Sequence, residues 1–257
     1  MNTANSGQTN RAFLGSIFNL LDRVEYRRMT SSEDIAEVEK LRRASYNNRE
    51  FIDAENFGSF IDEHDRSQDC YVIGVYIEES LISTLRVHIV SSRHLHGPTA
   101  SYFPVRAAQL VEQGDCYIDP SRFAADHQML WQYPAIPFLT LRVAAMASEY
   151  FHASHCMTVV TASTASFYRR SFGSLDMEPP QSVPGFTVPL TLLGARIDHI
   201  RATLETRLPF FKSQLWEQKM MFAPSSELNY PPVNILPSAR YANPQLFGAG
   251  GMQTQAI

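Results

Sequence analysis

The stretch that decides the fold is Cys70–Val90, which reads CYVIGVYIEESLISTLRVHIV. Its first part, Cys70–Ile77, is almost entirely apolar, which is typical of a strand that is buried on both faces. A polar turn at Glu78–Ser80 leads into a second strand over Leu81–Val90, in which Arg86 lies on the face opposite the apolar row. The sequence therefore predicts a β-hairpin at the centre of a sheet, with one arginine turned away from that row.

Helices and strands alternate on both sides of this hairpin. A third strand over Cys116–Phe123 contains Pro120, which cannot donate a hydrogen bond to a neighbouring strand, so its pairing should be broken or splayed there. Pro137 then opens a dense apolar helix over Phe138–Phe151, which we expect in the core. The other predicted elements are a helix with Ile35, Val38, Leu41 and Ser45 on one side, strands over Met157–Thr161 and Phe186–Leu193, and a short helix over Ala165–Phe172. This order predicts a domain of mixed α/β (α+β) class.

The two ends of the chain differ in composition from its middle. Residues 1–22 predict a loose polar tail followed by a short amphipathic helix, and residues 23–195 form the main domain. Residues 196–221 predict a helical extension. Residues 222–257 hold five of the 15 prolines and few charges, so we expect them to be extended or disordered.

Composition excludes several classes of protein. The 257 residues carry a formal net charge of −4 and no basic stripe, which argues against a nucleic-acid partner. The three cysteines, Cys70, Cys116 and Cys156, are odd in number and widely spaced, so we expect reduced thiols without a disulfide framework. His152, His155 and Cys156 lack a further ligand, so no metal site is expected. With no apolar run long enough to span a bilayer, the sequence favours a cytoplasmic protein.

A more specific pattern lies in the short helix and its flanks. Residues 165–173, ASFYRRSFG, resemble the late A-x-x-F-Y-x-x-x-G-F region of the GNAT acyltransferase fold, with the last Phe and Gly in altered order. The resemblance implies a central, mixed, mostly antiparallel twisted sheet with a splayed strand pair, flanked by helices. It also implies that Tyr168 protonates a departing thiolate. From the residue alone, without this pattern, the default interpretation of Tyr168 is a packing side chain on a short helix.

Four further stretches lie in the same order as in a narrower group of GNAT proteins. They are Arg42-Arg43-x-x-Tyr46, Asp62-Glu63-His64-Asp65, Ser83-Thr84-Leu85-Arg86 and Asp119-Pro120-Ser121-Arg122-Phe123. Together they resemble the LuxI-type acyl-homoserine-lactone synthases and the related FeeM-like N-acyl amino acid synthases, over residues 23–195. The resemblance implies acyl transfer from a thioester, with Asp119 and Tyr168 as catalytic residues. It implies that the acceptor is bound by Asp62, Asp65, Arg86, Ser121, Arg122 and Phe123.

The sequence departs from these families at two places. Asp119 stands where the homoserine-lactone synthases carry Glu, and the shorter carboxylate favours action through a bridging water. Residues 126–137 contain no glycine, whereas GNAT enzymes that use CoA have a glycine-rich loop there for the pyrophosphate. An acyl carrier protein with its acyl-phosphopantetheine is therefore the expected donor, and no bound cofactor is expected. The arginines expected to dock this acidic partner are Arg42, Arg43, Arg49, Arg169 and Arg170, although each is equally well a solvated charge.

Amide formation places a demand on the acidic residues. An α-amino group has a pKa near 8 and must lose a proton before it attacks, whereas an ordinary Asp, with a pKa of about 3.9, is a poor base. Burial must therefore raise the pKa of Asp119, or a water must carry the proton from the amino group to its carboxylate. We also expect Asp62, Asp65, Asp119, Arg86 and Arg122 to converge, since they alternate in sign. They would bind the acceptor's ammonium and carboxylate or, for Asp65 and Arg86, form a structural ion pair.

The sequence thus predicts an N-acyltransferase that moves a long-chain fatty acyl group from acyl carrier protein to the amine of an amino acid. The acceptor would attack the thioester directly, without an acyl-enzyme. Two alternatives stay open at this point. One is a homoserine-lactone synthase with S-adenosylmethionine as the acceptor, and the other is a non-catalytic GNAT-like module that binds an acyl ligand or a partner.

Overall fold

The computed structural model describes residues 3–46, 51–52, 59–67, 69–112, 114, 116–224, 227 and 234–242. The helices are α1 (Thr3–Leu21), α2 (Ser32–Tyr46), α3 (Pro98–Tyr102), α4 (Pro104–Glu112), α5 (His127–Gln132), α6 (Ile136–Tyr150), α7 (Ala162–Phe172), α8 (Ile197–Arg207) and α9 (Leu215–Phe222). The strands are β1 (Val24–Arg28), β2 (Cys70–Ile77), β3 (Ser80–Val90), β4 (Tyr117–Ala125), β5 (His155–Thr161), β6 (Leu175–Gln181) and β7 (Leu190–Arg196). Short 3₁₀ turns cover Glu63–Arg66, Pro209–Phe211 and Ser238–Ala242.

The strands form one seven-stranded sheet in the order β1-β2-β3-β4-β5-β7-β6. All neighbours are antiparallel except β4 and β5, which are parallel. The hairpin predicted from Cys70–Val90 is confirmed as β2 and β3, which lie inside the sheet with Ile73 opposite Leu85. The predicted fold class is therefore confirmed as a mixed, mostly antiparallel sheet flanked by helices.

A gap opens in the middle of this sheet between β4 and β5. The two strands pair only at Tyr117 with His155 and at Ile118 with Cys156, and then they separate. Pro120 lies just beyond the last paired position and remains opposite Val87 on the β3 side. The predicted break near Pro120 is thus confirmed on one side of β4, and it creates the opening in which the site is found.

Helix α6 forms the centre of the core on one face of the sheet. Pro137 lies in its first turn, and side chains such as Leu139, Val143 and Ala147 are fully buried. The N-terminal helix α1 packs into the same core through residues such as Ile17 and Leu21, and the C-terminal segments add Phe210, Phe211, Met221, Phe222 and Ile235. The core therefore depends on both ends of the chain as well as on the central domain.

The ends and one edge differ from the sequence-based expectations. Helix α1 begins at Thr3, inside the expected loose tail. In the segment expected to be extended or disordered, Ile235 exchanges backbone hydrogen bonds of 2.8 Å with Tyr26, and Ser238–Ala242 forms a 3₁₀ turn. Strand β6 was not predicted, and the strand expected over Phe186–Leu193 instead covers β7, beyond Pro189. Among the described residues, no helix combines the length and apolar character needed to cross a membrane.

Candidate active site

Two cavities of opposite character lie next to the gap between β4 and β5. The larger, which we call the polar cavity, has a volume of about 660 Å³. Its polar lining includes Asp62, Glu63, His64, Arg86, Ser121 and Arg122, and its aromatic lining includes Tyr46, Tyr102, Phe123 and Phe186. Helices α2 and α3, strands β3 and β4, the turn Glu63–Arg66 and loops supply these side chains.

The smaller, which we call the apolar cavity, has a volume of about 80 Å³ and lies between α6, α7 and α8. Most of its lining is aliphatic or aromatic, including Leu141, Ala144, Phe172, Ile200, Leu204 and Phe211. Four residues line both cavities, namely Pro120, Leu141, Thr158 and Tyr168. The two spaces therefore lie on either side of these four side chains, at the point where the sheet splays.

A network of buried charges forms one wall of the polar cavity. Arg86 Nη1 lies 2.5 Å from Asp62 Oδ1 and 3.2 Å from Asp65 Oδ2, and Arg86 Nε donates to Ser121 Oγ at 3.2 Å. Arg122 Nη2 lies 3.1 Å from Asp62 Oδ2. Four of the five charged residues expected to converge do so, and Asp119 lies outside their hydrogen bonds.

The ionisation of Asp62 follows from this network. Burial opposes its negative charge, but the charges and hydrogen bonds of Arg86 and Arg122 outweigh that effect and lower its pKa to about 2. The pKa of Arg86 is raised, because the carboxylates of Asp65 and Asp62 outweigh the effect of its burial. Both groups are therefore charged at neutral pH, so the wall combines fixed positive and negative charge.

Asp119 lies directly behind the wall of the polar cavity and is fully buried. Its Oδ2 accepts a 2.7 Å hydrogen bond from the backbone N–H of Thr99, whereas its Oδ1 has no hydrogen-bond partner. Gly97, which lines the cavity, separates the two, since a Cβ atom at Gly97 would lie 3.0 Å from Asp119 Oδ2. Burial outweighs the hydrogen bond from Thr99 and raises the pKa of Asp119 to about 7. A carboxylate with this pKa is a competent base near neutral pH.

Two neighbouring histidines, His88 and His64, were not singled out from the sequence. His88 lies opposite Asp119 on β3, is buried, and has no partner for its Nε2. Its pKa falls to about 3, first because of burial and then because of the positive charge of Arg86, so it is neutral. The ring of His64, which lines the polar cavity, lies 5.5 Å from that of His88. The sequence alone could have indicated His88, because it shares a strand face with Arg86.

Tyr168 lies at the boundary of the two cavities on α7. Burial raises its pKa to about 12, and a hydrogen bond with Thr158 offsets only part of this effect. Its hydroxyl is therefore protonated at neutral pH and can donate a hydrogen bond. Phe123 lines the polar cavity nearby, and its carbonyl oxygen accepts a short hydrogen bond from the hydroxyl of Tyr46.

Sequence and structural comparisons identify the family. The family model described as N-acyl amino acid synthase FeeM matches residues 37–196, which is more than half of the chain. The chain belongs to the FeeM family. The structure of FeeM, an N-acyl amino acid synthase from uncultured soil microbes, is 17% identical with a TM-score of 0.56, and the match covers 70% of this chain and 94% of that one. No curated protein sequence matches this chain.

Two acyl-homoserine-lactone synthases resemble this FeeM-family chain in fold. LasI is 14% identical with a TM-score of 0.50, over 70% of this chain and 94% of LasI. BjaI, described as CoA-dependent, is 13% identical with a TM-score of 0.51, over 72% of this chain and 90% of BjaI. At these identities the structures show the fold alone. Together with the family match, they support an N-acyltransferase of the GNAT fold.

The arginines expected to dock a carrier protein are not equivalent in this FeeM-family chain. Arg42 is fully buried, with Nη1 2.8 Å from Asp65 Oδ1, so it does not reach a partner's surface and that expectation is corrected. The reason is helical periodicity, which places Arg42 on the same inward face of α2 as Val38 and Ser45. The other arginines of this set that the structure describes are the exposed residues Arg43, Arg169 and Arg170, and Arg49 lies outside the described residues.

Among the residues that the structure describes, no three His, Cys, Asp or Glu side chains come together to hold a metal ion. Cys156 lines the apolar cavity, and burial raises the pKa of its thiol to about 12. Burial likewise raises the pKa of Cys70 to about 12. A thiol with so high a pKa is a poor nucleophile at neutral pH.

Proposed function

We propose that this protein moves a long-chain fatty acyl group from the thioester of acyl carrier protein to the amine of an amino acid. The observation that carries the proposal is the meeting of a polar and an apolar cavity at Tyr168, in the gap of the sheet. A fatty acyl donor and a charged acceptor need two spaces of this kind that share one reaction point. N-acyl transfer within the FeeM family supports the same reaction.

The acyl donor fits the apolar side of the gap. The terminal carbons of its alkyl chain would occupy the apolar cavity, where Leu141, Phe172 and Leu204 exclude water. At about 80 Å³ this cavity is smaller than one that holds a benzene ring, so the rest of a long chain would lie along the gap in the sheet. The thioester would then lie beside Thr158 and Tyr168, which line both cavities. A hydrogen bond from the Tyr168 hydroxyl would stabilise the departing thiolate, whose conjugate thiol has an ordinary pKa of about 8.5.

The acceptor fits the polar cavity. The guanidinium of Arg122 has a planar shape that suits a carboxylate, and its side chain is 17% exposed. Asp62, with a pKa of about 2, stays ionised and can hold the acceptor's ammonium group. The acceptor is thus recognised by both charges that every free amino acid carries.

Asp119 is the proposed base for the acceptor's ammonium group. Transfer from an ammonium with a pKa near 8 to an Asp with a pKa of about 7 is uphill by about 1 unit, or about 1.4 kcal/mol. Transfer to an ordinary Asp is uphill by about 4 units, or about 5.5 kcal/mol. Because Gly97 separates Asp119 from the cavity, the proton would pass through a water, as the shorter carboxylate suggests. The neutral amine then attacks the thioester carbonyl and the C–S bond breaks. The thiolate leaves with a proton from the Tyr168 hydroxyl, which regains one from the attacking nitrogen as the amide forms.

The decisive experiment compares donors and acceptors with purified protein. The protein is incubated with a C14 acyl carrier protein or the same acyl-CoA at equal concentration, and with either the twenty amino acids or S-adenosylmethionine. We expect N-acyl amino acids by mass spectrometry, with faster turnover from the carrier protein because residues 126–137 lack glycine. Acyl lactones would replace the proposal with the homoserine-lactone synthase alternative. Faster turnover from acyl-CoA would overturn the donor, and no product from any pair would favour a non-catalytic module.

A further inference from the structure

The wall of the apolar cavity comes partly from a segment beyond the matched family region. That match ends at residue 196, and α8 and the turn Pro209–Phe211 follow it. Ile200 and Leu204 on α8, and Phe211 in the turn, nevertheless line the cavity. The space that would hold the end of the alkyl chain is therefore completed by the C-terminal extension.

The opposite wall is made of small side chains. Ala144, Ala145 and Ser148 of α6 and Ala195 of β7 line the cavity from the central domain. Small side chains contribute little volume, so the size of the cavity depends on the larger residues facing them. Leu204 is 9% exposed and Phe211 is 3% exposed, and both are set firmly in the core.

A buried charge fixes the position of Phe211. The guanidinium of Arg142, at the centre of α6, donates to the carbonyl of Phe210 at 2.7 Å and to that of Lys212 at 2.7 Å. These carbonyls lie on either side of Phe211 in the chain. Glu217 of α9 pairs with the same guanidinium at 2.5 Å and 2.9 Å. The backbone around Phe211 is thus tied to the core helix, and the wall that Phe211 forms is held in place.

Charged side chains lie at the outer part of the same cavity. Arg201 Nη2 lies 3.3 Å from Glu149 Oε1, and Arg201 Nε lies 3.0 Å from Glu205 Oε1. All three residues line the cavity. An alkyl chain that extended beyond the apolar wall would have to remove water from these charges, which is unfavourable. These charges therefore bound the apolar part of the cavity on the side that faces the solvent.

We propose that the C-terminal extension sets the length of the acyl chain that this protein accepts, with Leu204 and Phe211 as the residues that determine it. The inference rests on the proposed function for its substrate, since it places the end of the donor's alkyl chain in the apolar cavity. Burial of each additional methylene group changes affinity about fourfold. Removing two or three carbon atoms from a side chain of the wall should therefore lengthen the preferred acyl chain by about two carbons, and adding them should shorten it.

The test measures chain preference in two independent ways. Wild type and variants are given an equimolar mixture of C8, C10, C12, C14 and C16 acyl carrier proteins with one acceptor, and the amide products are quantified by mass spectrometry. Binding of the corresponding acyl-pantetheines is measured separately by calorimetry. Leu204→Ala should move both optima about two carbons longer, and Leu204→Phe should move them shorter. Ile200→Ala gives a milder enlargement if Leu204→Ala does not fold.

The control and the contrary outcomes separate this proposal from the proposed function. Thr203→Ala changes an exposed neighbour on the same helix and should leave both profiles unchanged. If wild type forms no amide but the binding optimum shifts in the Leu204 variants, the function is wrong and the length determinant stands. If folded Leu204 and Ile200 variants keep the wild-type profile in both measurements, the length determinant is wrong whatever the reaction proves to be.

Discussion

Replacing Glu217 by leucine tests how the C-terminal elements are held on α6. The Glu217 and Arg142 side chains are both 0% exposed and form a bidentate pair. Glu217 Oε2 also accepts hydrogen bonds from the backbone N–H and the hydroxyl of Ser238, at 3.1 Å and 2.5 Å. The substitution would therefore leave a buried guanidinium without its counter-charge and two donors of Ser238 without their acceptor.

The expected loss follows from the burial of the pair. Removing one member of a fully buried ion pair costs about 3–5 kcal/mol, because the other charge stays uncompensated. The carbonyls of Phe210 and Lys212 still accept from Arg142, but they carry no net charge. For a chain of this size, each kcal/mol shifts Tm by about 2–4 °C. Glu217→Leu should therefore lower Tm by about 6–20 °C.

The assay is thermal unfolding at pH 7, followed by circular dichroism and by calorimetry. Glu39→Leu is the matched control, since Glu39 forms an exposed pair with Arg43 and its loss should change Tm by less than about 2 °C. The double variant Arg142→Met with Glu217→Leu removes both charges and should recover most of the lost stability. A loss below about 3 °C in the single variant, or a double variant less stable than the single one, would refute this reasoning.

Four further predictions concern the polar cavity and Asp119 behind it. Asp119→Asn should lower turnover by about 10²-fold or more. In the wild-type protein, turnover should rise as the pH increases through about 7, which initial rates between pH 5.5 and 8.5 would measure. The pKa of Asp119 is higher in the folded state than in the unfolded state, so the wild-type protein should lose stability as the pH rises from about 4 to about 7. Asp119→Asn should not show this loss, and an equal pH dependence of Tm in both proteins would contradict the prediction. Gly97→Ala places a Cβ 3.0 Å from Asp119 Oδ2 and should abolish activity. The control is Gly114→Ala, because Gly114 also has a positive φ but has no neighbour within 4 Å, so this change should lower Tm without affecting activity. Arg122→Gln should raise the acceptor KM about tenfold or more with little change in Tm, and an unchanged KM would exclude Arg122 from acceptor binding.

Local patterns in the sequence were sufficient for the centre of the fold. The apolar run Cys70–Ile77, the proline at 120 and the apolar helix after Pro137 each predict structure from neighbouring residues, and each prediction is confirmed. Strand β6 escaped prediction because its sequence, with Asp176, Glu178 and two prolines, has low strand propensity. Its pairing with β7 comes from a tertiary contact.

The sequence predicted which charged residues form the site, but it did not predict how deeply each of them is buried. Alternating signs were enough to bring Asp62, Arg86 and Arg122 together. The raised pKa of Asp119 depends on burial and on Thr99, twenty residues earlier, which no local pattern encodes. The burial of Arg42 was encoded, because it lies four residues after Val38 and three before Ser45 on one helix face. The arginine was misassigned because its charge was given more weight than its position in the helical repeat.

The two outer strands of the sheet differ in how they are protected from other molecules. At the β6 edge, Pro179 and Pro180 have no backbone N–H, so another strand cannot form a continuous ladder there. At the β1 edge, the backbone of Tyr26 is already paired with Ile235. Release of Ile235 would therefore uncover the backbone of Tyr26 on β1, while the β6 edge would keep its protection. Protection of the β1 edge at Tyr26 thus comes from one backbone contact with a residue more than 200 positions later in the chain.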